Sequence, residues 1–207
     1  MPRHAISNDF KRQRNGVIAP PPRQPAYGYT TTLMRWWFAD GGGGGGGDGG
    51  ELSRTLGELL RGEGLTIATA GSCTGGTVAA VLTAIAGSSA YFLGGAVTYS
   101  AASKAAVLGV PQAIIDGEGV VSAPCALAMA QGARRVFGAD IAVATTGIAG
   151  PGGAEPGKPV GLVYIAVAWE DGAHIRHAVY PGDRAAVIGA AAREALALVL
   201  DHLHDAL

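Results

Sequence analysis

From Glu51 onward the apolar positions switch between two periods. Leu52, Leu56, Leu59 and Leu60 recur at helical spacing in Glu51–Arg61 and predict a helix that stops at Gly62. Leu65–Ala70 reads as a short buried strand. The turn Ser72-Cys73-Thr74-Gly75-Gly76 follows it and opens an Ala/Val-rich helix to about Ala86, with Gly87 as the stop. Gly94–Tyr99 predicts a second strand, Ser100–Leu108 a short helix ended by Gly109, and Pro111–Asp116 a third helical stretch. Ser122–Phe137 follows as a longer helix, with Ser122 suited to the N-cap and Pro124 to the first turn. Ile141–Thr145 is a third strand. Val160–Trp169 and His174–Tyr180 flank Glu170-Asp171-Gly172, whose Asp-Gly pair signals a hairpin, and Asp183–Leu207 closes as an amphipathic helix. This alternation predicts a single three-layer α/β/α domain with a mixed, mostly parallel sheet of about five strands. The strands are expected to be parallel through the helical crossovers and antiparallel at the final hairpin.

Composition divides the chain before that domain. Of 34 glycines among 207 residues, nine lie in Gly41–Gly50, which reads as a flexible linker. Met1–Asp40 holds five of the eleven prolines and no sustained apolar period, so it reads as a disordered Pro/Arg-rich tail. The remaining 157 residues suffice for one domain and one core. Net charge is −1, but the tail carries six Lys/Arg against two acids and the rest nine against fourteen. The body lacks the basic clustering that a phosphate-backbone footprint needs, so nucleic acid is not an expected partner. No run of 18 apolar residues and no secretory h-region occurs, which argues against membrane insertion and export. Cys73 and Cys125 are the only cysteines, 52 positions apart, which suits a reducing cytoplasm rather than a disulfide framework or zinc knuckle.

The strand–turn–helix at Ala70–Gly76 is the first place where chemistry can reside. Backbone N–H groups at a helix N-terminus hold anions or oxyanions, and Ser72 stands where a nucleophile would be exposed. The alternative is that Ser72 or Thr74 only caps the helix. A serine needs a base. The histidines serve poorly: His174 and His177 lie three apart on a strand, and His202 and His204 two apart on a helix, which suits solvated surface positions and makes no metal constellation. The domain has only two lysines, Lys104 and Lys158. Lys104 follows a predicted strand end, so it could project toward Ser72 as a desolvated general base, with Tyr99 orienting it; otherwise it is a solvent-facing helix charge. Cys73 is the competing nucleophile, or a buried small hydrophobe. The Gly/Pro loop Thr145–Pro159 reads as a site wall or a linker-like loop, with Thr146 placed to donate to a substrate oxygen. Arg184, opening the last helix, is a phosphate ligand or a surface arginine.

Taken together, Thr69–Gly76, Gly87–Phe92, Val97-Thr98-Tyr99-Ser100 with Lys104, Thr146–Gly153, Lys158–Tyr164 and Gly182-Asp183-Arg184 resemble the CinA C-terminal domain family, in order across Leu52–Leu203. The resemblance implies a nicotinamide mononucleotide deamidase of pyridine nucleotide salvage. Ser72 would attack the carboxamide, Lys104 would serve as base and then acid, and Tyr99 would support it. Thr74, Gly75, Gly76, Thr146, Gly147 and Arg184 would bind substrate, with Gly75 and Gly76 offering backbone N–H groups. It further implies a small-molecule nucleotide substrate, no metal, no organic cofactor, no membrane partner and a homodimer or higher homo-oligomer. The chain resembles the stand-alone form of the family. Two positions depart from the pattern: Gly71 replaces the usual Glu before the nucleophile, and Ile188 stands where a second arginine is common. They motivate an alternative, a catalytically silent or weakened module that binds a pyridine nucleotide or a protein.

Overall fold

A computed structural model describes residues 46–206. The tail expected over residues 1–40 and the first half of the expected linker lie outside the described residues. The elements run α1 (Gly46–Gly62), β1 (Ile67–Gly71), α2 (Thr77–Thr83), a 3₁₀ turn (Ser88–Ala90), β2 (Phe92–Val97), α3 (Ala101–Leu108), α4 (Gln112–Asp116), α5 (Ala123–Phe137), β3 (Ile141–Gly147), β4 (Leu162–Ala168), β5 (Ala173–Val179) and α6 (Arg184–Ala206). None of the described helices is long and apolar enough to cross a membrane.

The sheet order is β2-β1-β3-β4-β5. β1 pairs in parallel with both β2 and β3, and β4 is antiparallel to β3 and to β5. β4 alone therefore runs against the other four strands. The reversal falls at β3–β4 as well as at the final hairpin, because the Gly/Pro loop joining β3 to β4 contains no crossover helix.

Strand alternation gives the sheet two unlike faces. Ile67, Ile141, Val143, Val163, Ile165 and Val167 point toward α1, α2 and α6, where Leu56, Leu60, Leu82, Leu196 and Leu203 complete the larger core. On the other face Ala68, Ala142 and Ala168 stand in register, as do Ala70, Ala144 and Ala166. Small side chains there let α5 lie close, with Ala126, Met129, Ala130 and Ala133 against the sheet. Gly132 on α5 lets α3 approach in turn, since a Cβ at 132 would run into the Leu108 carbonyl and Cβ. The result is the expected three-layer arrangement, and it fixes where α3 presents Lys104.

Four local readings shift. The first helix starts at Gly46 instead of Glu51: Gly49 and Gly50 are buried and Ser53 Oγ donates to the Gly49 carbonyl (3.0 Å), so packing overrides glycine's low helix propensity at Gly49 and Gly50. β2 begins at Phe92, two residues early, because the buried Tyr91 anchors it with its carbonyl on Ile67 N (2.7 Å). The second helix is shorter than expected, Thr77–Thr83, beginning after Gly76. His202, expected at the surface, is buried and stacks on Trp169 with ring centroids 3.9 Å apart.

Candidate active site

Ser72 and Cys73 follow directly on β1, where the chain turns before α2. Gly76 is the N-cap residue of α2, in the left-handed region at φ 89°, and no side chain caps the helix. Ser72 is thus not a helix cap, and neither is Thr74, whose hydroxyl pairs instead with the Thr145 hydroxyl at the end of β3 (2.8 Å). That bond ties the turn to the neighbouring strand.

Lys104 comes from α3, which starts with a reciprocal capping box: Ser103 N donates to Ser100 Oγ and Ser100 N to Ser103 Oγ, both 3.1 Å. The box places Lys104 in the first turn, pointing under the sheet end. Its Nζ lies 2.9 Å from Ser72 Oγ and donates to the Thr98 carbonyl (2.6 Å). At 1 % exposure it is not a solvent-facing charge. Burial pulls its pKa below the ordinary lysine value, with the Cys125 and Cys73 thiols opposing weakly. The positive end of the α3 dipole disfavours an ammonium there as well. The site therefore contains a hydroxyl and an amine in contact, with the amine biased toward its neutral, proton-accepting form.

An open cleft of about 250 Å³ lies above Ser72. One wall is Val120 and Val121; the other is Gly147 at the end of β3 and the loop after it, with Gly150 and Glu155. The long Gly/Pro segment is thus a wall of the cleft, and Thr146 and Arg184 line it too. Arg184, at the start of α6, donates from Nη1 to the Gly150 carbonyl and from Nη2 to Tyr99 Oη, both 2.9 Å. Asp183 caps the same helix by accepting from Ala186 N (2.9 Å).

Several expected roles change with this geometry. Tyr99 does not orient Lys104: β2 ends at Val97, so Tyr99 lies in the connection to α3, 62 % exposed, with its hydroxyl held by Arg184. The Thr98 carbonyl holds the amine instead. No side-chain pattern marks a backbone carbonyl, so sequence reasoning passed over it. Thr146 Oγ1 already donates to the Val120 carbonyl (2.6 Å), so only its lone pairs face a ligand. Gly75 N is bonded to the Ser72 carbonyl (3.0 Å), and Thr74, Gly75 and Gly76 form the turn beneath the cleft rather than its lining. Cys73 lines the cleft, but burial raises its thiol pKa to about 11, which keeps it protonated and poorly nucleophilic near neutral pH. A Cβ at Gly71 would stand 3.4 Å from Gly76 N and from Thr74 Oγ1, in van der Waals contact with the turn that precedes α2. Ile188 packs on the larger core.

The chain is similar to proteins already known. Residues 50–203 match the CinA C-terminal domain. A CinA-like protein from Geobacter metallireducens is 51 % identical over 137 residues, covering 66 % of this chain and 33 % of that protein. One from Mycolicibacterium vanbaalenii is 54 % identical over 138 residues, covering 66 % and 32 %. The chain thus spans about a third of the length of these relatives. Among solved structures, a CinA superfamily protein from Klebsiella pneumoniae superposes with TM-score 0.73 at 36 % identity, covering 75 % of this chain and 98 % of the other. The competence/damage inducible protein CihA from Agrobacterium tumefaciens does so with TM-score 0.70 at 42 % identity, covering 75 % and 94 %. With the family matched over three quarters of its length, the chain belongs to the CinA C-terminal domain family.

Proposed function

We propose that this domain is an amidohydrolase that converts the carboxamide of nicotinamide mononucleotide to the carboxylate, releasing ammonia, with Ser72 and Lys104 as its dyad. The observation that carries the reading is the buried amine 2.9 Å from a hydroxyl at the floor of an open cleft. A neutral Lys104 takes the Ser72 proton as Oγ bonds to the amide carbon and the carbonyl π electrons move to oxygen. Collapse of the oxyanion breaks the C–N bond, and Lys104 returns the proton to the departing nitrogen, which leaves as ammonia. Water then attacks the acyl-serine, giving its proton to Lys104, and the ester bond breaks as Lys104 passes that proton to Oγ, restoring Ser72 and the neutral amine. The Thr98 carbonyl keeps the amine aimed throughout. At the rim, the exposed Arg184 guanidinium offers a charge-assisted site for the substrate phosphate.

Purified protein should release ammonia from nicotinamide mononucleotide, and Ser72→Ala and Lys104→Ala should not. Equal release by all three overturns the dyad. The silent-module reading rests on two departures in the sequence, Gly71 and Ile188. It predicts an inactive wild type and gain of activity in Gly71→Glu.

A further inference from the structure

Lys158 is the second of the two lysines after the glycine tract, and the dyad makes no use of it. Its surroundings are more ordered than a surface lysine requires. Three consecutive carbonyls of the segment that leads into the Val120–Val121 wall each accept from a different side chain: Glu118 from Lys158 Nζ (2.8 Å), Gly119 from Ser122 Oγ (2.7 Å) and Val120 from Thr146 Oγ1 (2.6 Å). The Lys158 main chain meanwhile pairs with Glu155, Glu155 N to the Lys158 carbonyl (3.0 Å) and Lys158 N to the Glu155 carbonyl (2.8 Å). Glu155 lines the cleft. One residue therefore grips the loop with its backbone and the facing wall with its side chain. The wall is shaped to receive it. Gly119 sits at φ 81°, and a Cβ there would stand 3.1 Å from Lys158 Nζ, so glycine at 119 leaves room for the ammonium.

We propose that Lys158 is a positioning residue, a strap that holds the loop between β3 and β4 against Glu118–Val121 and so sets the width of the cleft. The loop it restrains is rich in glycine at Gly150, Gly152, Gly153 and Gly157, each costly to order. With the strap in place that cost is met on folding. Without it, ligand binding must order the loop, which weakens binding and leaves the chemistry of the bound complex unchanged. The strap itself is independent of which amide is cleaved; only the kinetic readout rests on the function proposed above.

The test compares wild type, Lys158→Met and Lys158→Arg, the last keeping a cationic donor. Hydrogen exchange of the loop amides is followed by mass spectrometry, and KM and kcat are measured with nicotinamide mononucleotide. The expected result for Lys158→Met is about tenfold faster exchange in the loop and about a tenfold rise in KM, with kcat within about twofold. Lys158→Arg restores both. Unchanged loop exchange in Lys158→Met overturns the strap, and so does a fall in kcat at constant KM. Equal acceleration in β1 and β3 also overturns it, because that marks a general loss of stability. If the wild type does not turn over this substrate, the proposed function fails while the exchange measurement still decides the strap.

Discussion

Lys104 Nζ and Ser72 Oγ stand 2.9 Å apart although 32 residues separate them in the chain. The contact is made by two adjacent parallel strands, since Ser72 follows β1 and Lys104 follows β2 by one helical turn. On the proposed mechanism both partners are needed for proton transfer and attack. Either Ser72→Ala or Lys104→Met should therefore lower kcat/KM by about 10³-fold or more, and the double variant should be little worse than either single one. Steady-state ammonia release measures this. Multiplying effects in the double variant would show that the two residues act separately.

Lys104 should make stability depend on pH and, on the proposed mechanism, activity as well. Burial lowers its pKa below 10.5. In the proposed mechanism only the neutral amine takes the Ser72 proton, so kcat/KM should climb as pH rises through the lowered value. Between that value and 10.5 the unfolded chain binds a proton that the folded chain does not. Stability should thus rise with pH across this window and fall as pH drops toward the lowered value. Urea midpoints taken from about pH 6 to about pH 10 should show this slope, and Lys104→Met should abolish it.

Cys73 should prove dispensable. With its pKa near 11, only about one thiol in 10⁴ is ionised at neutral pH. Cys73→Ala should keep activity within a few-fold of wild type, and iodoacetamide should label Cys73 slowly, as read by mass spectrometry. Rapid alkylation with parallel loss of activity would assign the nucleophile to sulfur.

The approach of α3 to α5 is set at Gly132. A valine there has to displace Leu108, whose carbonyl and Cβ occupy the space. Gly132→Val should destabilise the fold by roughly 1–3 kcal/mol through overpacking and reduce activity as well, because α3 carries Lys104. Denaturant unfolding and ammonia release on one preparation check both effects. Full activity in a destabilised protein would uncouple helix position from the dyad.

His202 gives the fold an acid-side weakness. Its pKa is lowered by burial first and by the nearby His174 second, with Asp205 opposing. Below the ordinary histidine value the unfolded chain takes up a proton more readily than the folded one, so stability should fall as pH drops from about 6.5. His202→Phe retains a ring against Trp169 and should flatten that acid limb, measured by thermal midpoints. An unchanged limb would place the titration elsewhere.

Much of the domain was legible from periodicity alone. Leu56 and Leu60 on α1, the Ser122 cap with Pro124 behind it, and the Asp171-Gly172 turn each report a local preference, and each appears where its spacing implies. Ser72 and Lys104 stood out for a related reason: one occupies a strand-to-helix turn and the other is one of only two lysines after the glycine tract. Local signals misled where packing outweighed them. Gly49 and Gly50 join a helix because they are covered, and His202 is buried with Trp169 stacked on it.

The sequence by itself determined the order and kind of the elements, the single α/β domain and the residue types able to do chemistry, because those depend on short-range periodicity and side-chain identity. The tertiary structure decided which groups meet. It put the Thr98 carbonyl, and not the Tyr99 hydroxyl, on the lysine, gave Tyr99 to Arg184, and left Cys73 protonated beside the serine. Those outcomes depend on strand register and burial, which arise from contacts between positions far apart in the chain.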